Sequence, residues 1–465
     1  MEKAASSIRF DWFKKGSAAR DMTQGSIIKQ LLLFSLPLMV GNIFQMLYNT
    51  VDVMVVGNFV GKEALAAVGS TTMIVNMLVF FFNGISIGAG VVISRYFGAH
   101  DMKQLHSAVE TTIATTLILS ILFTFLGIMG VRPMLRFMST PKDVFDDAVV
   151  YLTIYIGGIA GLLIYNIGSG ILRAVGNTAI PLMFLILTSI LNIFLDLFFV
   201  LALKAGIAGV AYATIISQMV SAVLILTLLT RTREVYRLIW KDLHINRKIL
   251  KKIFSVGLPA AIQSVLTAFS NIFVQSYVNY FGSGCMAGWS CYNKLDQFIM
   301  LPMQSMSMAA TSFVSQNIGA GQKKRADQGT VRAILLCLFI TSGIAAFLMI
   351  FAAPSVGLFT SDAAVIEYGV LFLRANTAFL LFNCVNHVLA GALRGFGDAK
   401  GPMIIMLACF VVIRQIYLFT VTHYIANTPL LVGLGYPVGW TACCLTEVSY
   451  YFRQRRKRQM NIGDL

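Results

Sequence analysis

Charge is what this sequence has least of. Asp, Glu, Lys and Arg make up 12% of its 465 residues, where soluble globular chains carry about a quarter. With 57% of the residues apolar, that scarcity excludes an ordinary water-soluble fold, which at this length would need two or three domains joined by polar linkers. Cysteine is also absent before Cys285. The seven thiols (Cys285, Cys291, Cys337, Cys384, Cys409, Cys443 and Cys444) form no CxxC or His-spaced set. Neither a disulfide framework nor a zinc site is expected, and thiols set in apolar segments pack as small buried hydrophobes. No short apolar h-region precedes the first long span, so no cleavable signal peptide is expected.

What is present is a succession of apolar segments, each near the roughly 20 residues a helix needs to cross a bilayer. Twelve are read at 31–56, 64–93, 105–130, 145–170, 178–202, 206–230, 250–280, 287–314, 328–352, 364–391, 402–424 and 429–452. The chain reads as an all-α polytopic membrane protein with both termini on one side. If that side is cytoplasmic, 28 of the 36 basic residues lie on it, which satisfies the positive-inside rule. The formal charge of +16 is then a statement of topology, and no nucleic-acid partner is expected. The densest basic runs are Arg231 to Lys252 and Arg453 to Arg458. The reading divides the chain into an N-terminal cytoplasmic segment (1–30), a first lobe of six spans (31–230), a basic linker (231–249), a second lobe of six spans (250–452) and a basic cytoplasmic tail (453–465).

The two lobes are copies. Gly170-Ile171-Leu172-Arg173-Ala174-Val175-Gly176 with Pro181 matches Gly391-Ala392-Leu393-Arg394-Gly395-Phe396-Gly397 with Pro402 at an offset of 221, and Ser94 to Ala99 matches Ser315 to Ala320 at the same offset. Because six is even, the halves share one orientation, related by a pseudo-two-fold axis along the membrane normal.

Acidic residues inside spans are functional candidates, because a charge near the bilayer centre is costly. Four are read inside spans: Asp52, Asp196, Asp296 and, near the end of span twelve, Glu447. Asn192 precedes Asp196 by four residues, so an amide oxygen and a carboxylate share a helix face, and Tyr48 and Asn49 stand one turn before Asp52. These are hard oxygen ligands for a small cation or a proton. The offset of 221 carries Asn192 and Asp196 onto Ile413 and Tyr417, so this chemistry belongs to the first half alone. Asp296 lies near Lys294, and Glu447 is expected to form an interfacial ion pair with the basic tail. Arg414 has no acid nearby in sequence and is a candidate for facing a cavity. Pro37 sits inside the first span, where it removes a backbone hydrogen bond and favours a kink; Pro259 repeats it in span seven.

Leu36-Pro37 through Tyr48-Asn49-Thr50-Val51-Asp52 to Gly57, followed by Ala64-Leu65-Ala66-Ala67-Val68-Gly69, resembles the opening of the multidrug and toxic compound extrusion (MATE) family. The Gly-Ala turns after spans two and eight and the Leu-Arg-x-x-Gly pattern after spans four and ten are similar to the family's as well. The resemblance implies a cation-coupled antiporter, not an enzyme, that exports organic and often cationic or amphiphilic compounds in exchange for inward Na⁺ or H⁺. It places the cation or proton site at Asp52, Asn192, Asp196 and Thr214, the bending proline at Pro37 and a cavity-lining tyrosine at Tyr48. The sequence departs from the family where relatives use acids in spans seven and ten: span seven offers only Gln263 and Gln275, and span ten has no acid in its interior.

The reading so reached is a multi-pass protein of the cell membrane, monomeric, with no cofactor beyond the coupling ion. Its substrate cavity is expected to include Tyr48, Asn49, Gln263, Asp296 and Arg414. A flippase for a lipid-linked saccharide, or an exporter of a peptide-like metabolite, remains open as the alternative. An intramembrane aspartyl protease would need Gly-x-Gly-Asp and Tyr-Asp, and the contexts here are Val51-Asp52 and Leu195-Asp196.

Overall fold

The structure, a computed structural model, describes residues 19–463 and the side chains of residues 19–459. The cytoplasmic segment expected at 1–30 therefore lies mostly outside the described residues. Among these residues the ordered elements are all helices. Nine are long and apolar enough to cross a membrane: Ile27–Val60, Lys62–Gly98, Met102–Phe137, Ala179–Ala202, Gly206–Arg231, Arg247–Asn279, Lys323–Ile350, Lys400–Ile425 and Pro429–Gln459. Two bent pairs, Lys142–Gly157 with Ile159–Ala174 and Ala363–Thr377 with Leu380–Phe396, qualify as one span each. The remaining span, eighth in chain order, Ser283–Gly319, is 37 residues long but is not among those that qualify by composition. Its polar and small residues are turned inward: Ser305, Ser307, Thr311, Ser315, Gln316 and Asn317 are all buried. Apolar side chains on other spans are exposed, among them Ile121, Phe125, Met129 and Phe339, as a lipid-facing surface requires.

The chain splits into two compact units, one of Leu36–Gly257 with the residues up to Asp21, the other of Leu258–Leu465 with Met22–Ser35. The boundary thus falls at Gly257, inside the seventh span and past the linker read at 231–249. In the first unit the apolar core gathers Ile93, Leu105, Ile171, Leu172, Ile225 and Leu229. The linker is docked on it. Tyr236 and Leu238 join that core, the Leu238 amide donates to the Leu229 carbonyl at 2.8 Å, and His244 Nδ1 stands 3.1 Å from Glu110 Oε2. Glu110, near the end of the third span, is thereby a buried acid.

In the second unit Ala390, Met406, Cys409, Phe410, Trp440 and Cys443 pack together. All seven cysteines are free and buried.

The duplication recurs as hydrogen bonds. Ser86 Oγ donates to the Asn166 carbonyl at 3.1 Å and Ser94 Oγ to the Ala174 carbonyl at 2.8 Å. Shifted by 221, Ser307 Oγ donates to the His387 carbonyl at 2.6 Å and Ser315 Oγ to the Gly395 carbonyl at 3.3 Å. These serines let the second span close on the fourth, and the eighth on the tenth. Gly170 and Gly391, repeat-mates as well, are required there, since a Cβ on either would collide with Ser86 Oγ or Ser307 Oγ. Both partner spans are bent at equivalent places, by 46° and 54°.

Candidate functional site

A polar cavity of about 120 Å³ lies within the first unit. The first span contributes Pro37, Gly41, Gln45 and Tyr48, and the fifth contributes a face from Thr178 to Asn192. The fourth adds Tyr165, Asn166 and Arg173, and the sixth adds Thr214, Ser217 and Gln218. The spacings of three and four place each set on one helical face. From Thr178 to Asn192, at 1.5 Å per residue, the cavity follows about 20 Å of the fifth span.

One turn beyond Tyr48 and one turn beyond Asn192, the carboxyls of Asp52 and Asp196 come within interacting range of each other. Asp196 is fully buried. Neither of its oxygens, nor Asp52 Oδ1, has a donor. Ionised carboxylates only accept hydrogen bonds, so two of them side by side repel and leave buried acceptors unsatisfied, a costly arrangement. A proton shared by the pair, or a cation between them, removes both penalties.

The neutral polar groups beside the acids are poised in the same way. Asn192 is 3% exposed, and its amide oxygen and nitrogen are both without partners. Thr214 Oγ1 donates to the Val210 carbonyl of its own helix at 3.0 Å, which leaves its lone pairs to accept. The Ser189 and Ser217 hydroxyls are also buried and unpartnered. Each acid is followed by a turn of π-helix, Val56–Val60 after Asp52 and Phe198–Ala202 after Asp196; such widened turns recur at functional sites. No group of three or more His, Cys, Asp or Glu that could hold a metal ion occurs among the described residues. Two carboxylates, an amide and a hydroxyl form a hard oxygen set, matched to an alkali cation or a proton rather than to a transition metal.

Pro37 and Tyr48 line the cavity, whereas Asn49 is exposed and outside its lining. Gln263, Asp296 and Arg414 belong to the second unit. Gln263 Nε2 meets Met406 Sδ at 2.7 Å. Asp296 accepts from the Tyr292 hydroxyl at 3.4 Å. Arg414, 3% exposed, donates to Ser270 Oγ at 2.6 Å and lies 4.9 Å from the centre of the Tyr436 ring.

Two placements correct the sequence reading. Glu447 does not pair with the basic tail: it is fully buried with no hydrogen-bond partner on either carboxyl oxygen, in the electrostatic field of Arg394, while Arg455 and Arg458 approach Asp327 at 3.5 and 3.6 Å. Axial distance along the helix decides this, since Arg455, eight residues on, is already about 12 Å further along. Arg173, read as a loop residue after span four, is still helical, and it lines the cavity. The sequence reading does not single it out as a site residue, although the repeated Leu-Arg-x-x-Gly motif is a signal that could.

The family model MatE matches residues 37–198 and again 259–420. The chain is 29% identical over 449 residues to the probable multidrug resistance protein YpnP of Bacillus subtilis (strain 168), covering 96% of this chain and 99% of that one. It is 28% identical over 424 residues to the probable multidrug resistance protein NorM of Thermotoga maritima, covering 90% of each. Its fold is similar, with a TM-score of 0.88 and 25% identity over 94% of this chain and 98% of the other, to a solved outward-facing multidrug resistance MATE family transporter of the MOP superfamily.

Proposed function

The chain belongs to the MatE family of multi-pass membrane transporters, and on that premise we propose that it is a secondary antiporter that exports organic cationic or amphiphilic compounds in exchange for inward Na⁺ or H⁺. The observation that carries this reading is the Asp52–Asp196 pair, in which Asp52 Oδ1 and both Asp196 oxygens are buried without a donor. Support also comes from relatives that are described as multidrug resistance proteins.

In the proposed mechanism the coupling ion binds between the two carboxyls, with Asn192 and Thr214 supplying neutral oxygens. An ion and a substrate exchange across the membrane only if they favour different conformations, because a ligand with equal affinity for both shifts nothing. A cation that neutralises the acid pair weakens the unit's hold on a cationic substrate and favours a bend at Pro37, so ion entry drives release. Each inward monovalent cation brings about 2.3 kcal/mol per 100 mV of membrane potential.

The test is efflux of a fluorescent organic cation from vesicles with Na⁺ and pH gradients imposed one at a time. Acceleration by one gradient supports antiport and identifies the ion. Export that needs neither gradient contradicts it.

A further inference from the structure

Each unit fastens the stretch of chain that leads into one of the repeat-mate spans, the first and the seventh. The segment 22–25, ahead of the first span, belongs to the second unit. There Arg325 Nη2 donates to the carbonyls of Met22, Gln24 and Gly25 at 3.3, 3.0 and 2.8 Å, and the Met22 amide donates to Gln316 Oε1 at 2.9 Å. At the offset of 221 the equivalent segment is 243–246, which leads into the seventh span and is fastened within the first unit. The Asn246 amide donates to Thr111 Oγ1 of the third span at 3.0 Å, and that hydroxyl donates to the His244 carbonyl at 3.4 Å. Asn246 Oδ1 then accepts from the Lys248 amide at 3.0 Å, capping the seventh span. The remaining hold is the His244 ring. A guanidinium keeps its charge throughout the range in which an imidazole gains or loses one, so one fastening is fixed and its counterpart titrates.

The ring is placed to hold in both charge states. His244 Nδ1 lies 2.8 Å from the Asp242 carbonyl oxygen and 3.1 Å from Glu110 Oε2. Both are acceptors, so Nδ1 bears a hydrogen whether the ring is neutral or charged. Nε2 lies 3.1 Å from Ser107 Oγ, a hydroxyl that donates to the neutral ring and accepts from the imidazolium. Protonation therefore needs no rearrangement. It places a positive charge beside a carboxyl that is 4% exposed, and a hydrogen bond becomes an ion pair. The His244 side chain is half exposed, open to the solution on the linker's side of the membrane. Among the described residues the other titratable groups that face Glu110 are Asp242 of the linker and His106, one turn earlier on the third span.

We propose that His244 and Glu110 form a pH-sensitive clasp on the linker. In acid the imidazolium–carboxylate pair holds the linker, and with it the start of the seventh span, on the first unit; as the pH rises through the histidine range the pair is lost and the segment opens more readily. The seventh span leaves the first unit at Gly257, after a stretch where Gly88 lets the second span close on the backbone of Ile253 and Gly257. The clasp thus sets how firmly that stretch is kept in place, and it reads the acidity on one side of the membrane at a point separate from the Asp52–Asp196 pair.

The experiment is amide hydrogen exchange of the purified full chain in nanodiscs at about pH 6 and about pH 8.5, either side of the histidine range, with each rate divided by the chemical rate at the same pH. In the wild type, protection of residues 238–249 falls about fivefold on going to the higher pH, the loss of one ion-paired hydrogen bond, while protection of residues 22–26 stays level. In His244→Gln and Glu110→Gln the linker shows at the lower pH the reduced protection that the wild type reaches at the higher, and the fall disappears; in His106→Gln it persists. Linker protection that does not change with pH in the wild type overturns the proposal without recourse to a variant, and so does a fall that survives in His244→Gln. No transport is measured, so the outcome stands apart from the antiport reading.

Discussion

Asp52 in the first span and Asp196 in the fifth bring their carboxyls together inside one unit, and the protein places no donor on Asp52 Oδ1 or on either oxygen of Asp196. Substitution of either acid by its amide removes one charge while keeping the shape. Asp196→Asn is expected to abolish gradient-driven export with little loss of folded protein, because the amide supplies its own donors to a site that lacks them. The check is efflux from vesicles beside the thermal unfolding of the purified variant. Full gradient-driven export by Asp196→Asn would remove this residue from the mechanism.

Asn192 and Thr214 are assigned neutral oxygens. Thr214→Ser keeps the hydroxyl and is expected to retain the wild-type ion dependence. Thr214→Ala and Asn192→Ala are expected to raise the ion concentration needed for half-maximal export about tenfold or more, the equivalent of losing one interaction of about 1.5–3 kcal/mol with a charged group. A titration of export rate against ion concentration reads this directly. Equal half-maximal concentrations in Thr214→Ala and wild type would leave the hydroxyl without a role.

Pro37 lies in the interior of the first helix and on the cavity wall. Pro37→Ala restores a backbone donor and straightens the preference of that turn. The expected result is a slower export cycle with ion binding preserved, seen as a reduced maximal rate at an unchanged half-maximal ion concentration. A shift in ion affinity alone would assign the proline to the site and not to the bend.

Glu447 and Arg394 are expected to be coupled in stability. Glu447→Leu removes the carboxyl that interacts electrostatically with Arg394, and Arg394→Met in the same chain is expected to recover part of the loss. Unfolding midpoints of the two single variants and the double variant test this. Additive losses would show that the two groups do not interact.

The repeated serine bonds supply a symmetric control. Ser94→Ala and Ser315→Ala each remove a donor that ties two helices within a unit, and each is expected to lower stability by about 1 kcal/mol. Thermal unfolding of the two variants should show similar shifts; a large disparity would mean that the two copies no longer share this joint.

Much of this architecture is legible in the sequence because the bilayer imposes long apolar runs, and because duplicated motifs such as Gly170 to Gly176 and Gly391 to Gly397 survive at a fixed offset. The eighth span is the exception. Its polar and small residues face inward, so although it is read at 287–314 as an apolar segment, it is not among the spans that qualify by composition. Asp52, Asn192 and Asp196 stand out because charge is scarce and four-residue spacing is readable. Thr214 is one hydroxyl among many in apolar helices, and only its resemblance to a family position singles it out. The surroundings of Glu447 and Arg173 depend on helix packing between segments distant in sequence, which no local pattern encodes. Arg173 reads as a topological charge until the end of its helix is known, and Glu447 reads as a partner of the nearby tail until packing shows its carboxyl buried, two turns or more from Arg455 and Arg458.

The central claim is that a cation moves through the Asp52–Asp196 pair as substrate leaves. The most direct measurement is substrate-induced ion flux in sealed proteoliposomes holding a pH-sensitive or Na⁺-sensitive dye, with ethidium added as the exported cation. The account predicts an ethidium-dependent signal in the wild type, proportional to the ethidium moved, and none in Asp52→Asn or Asp196→Asn. An equal ethidium-dependent ion flux in both variants would contradict it.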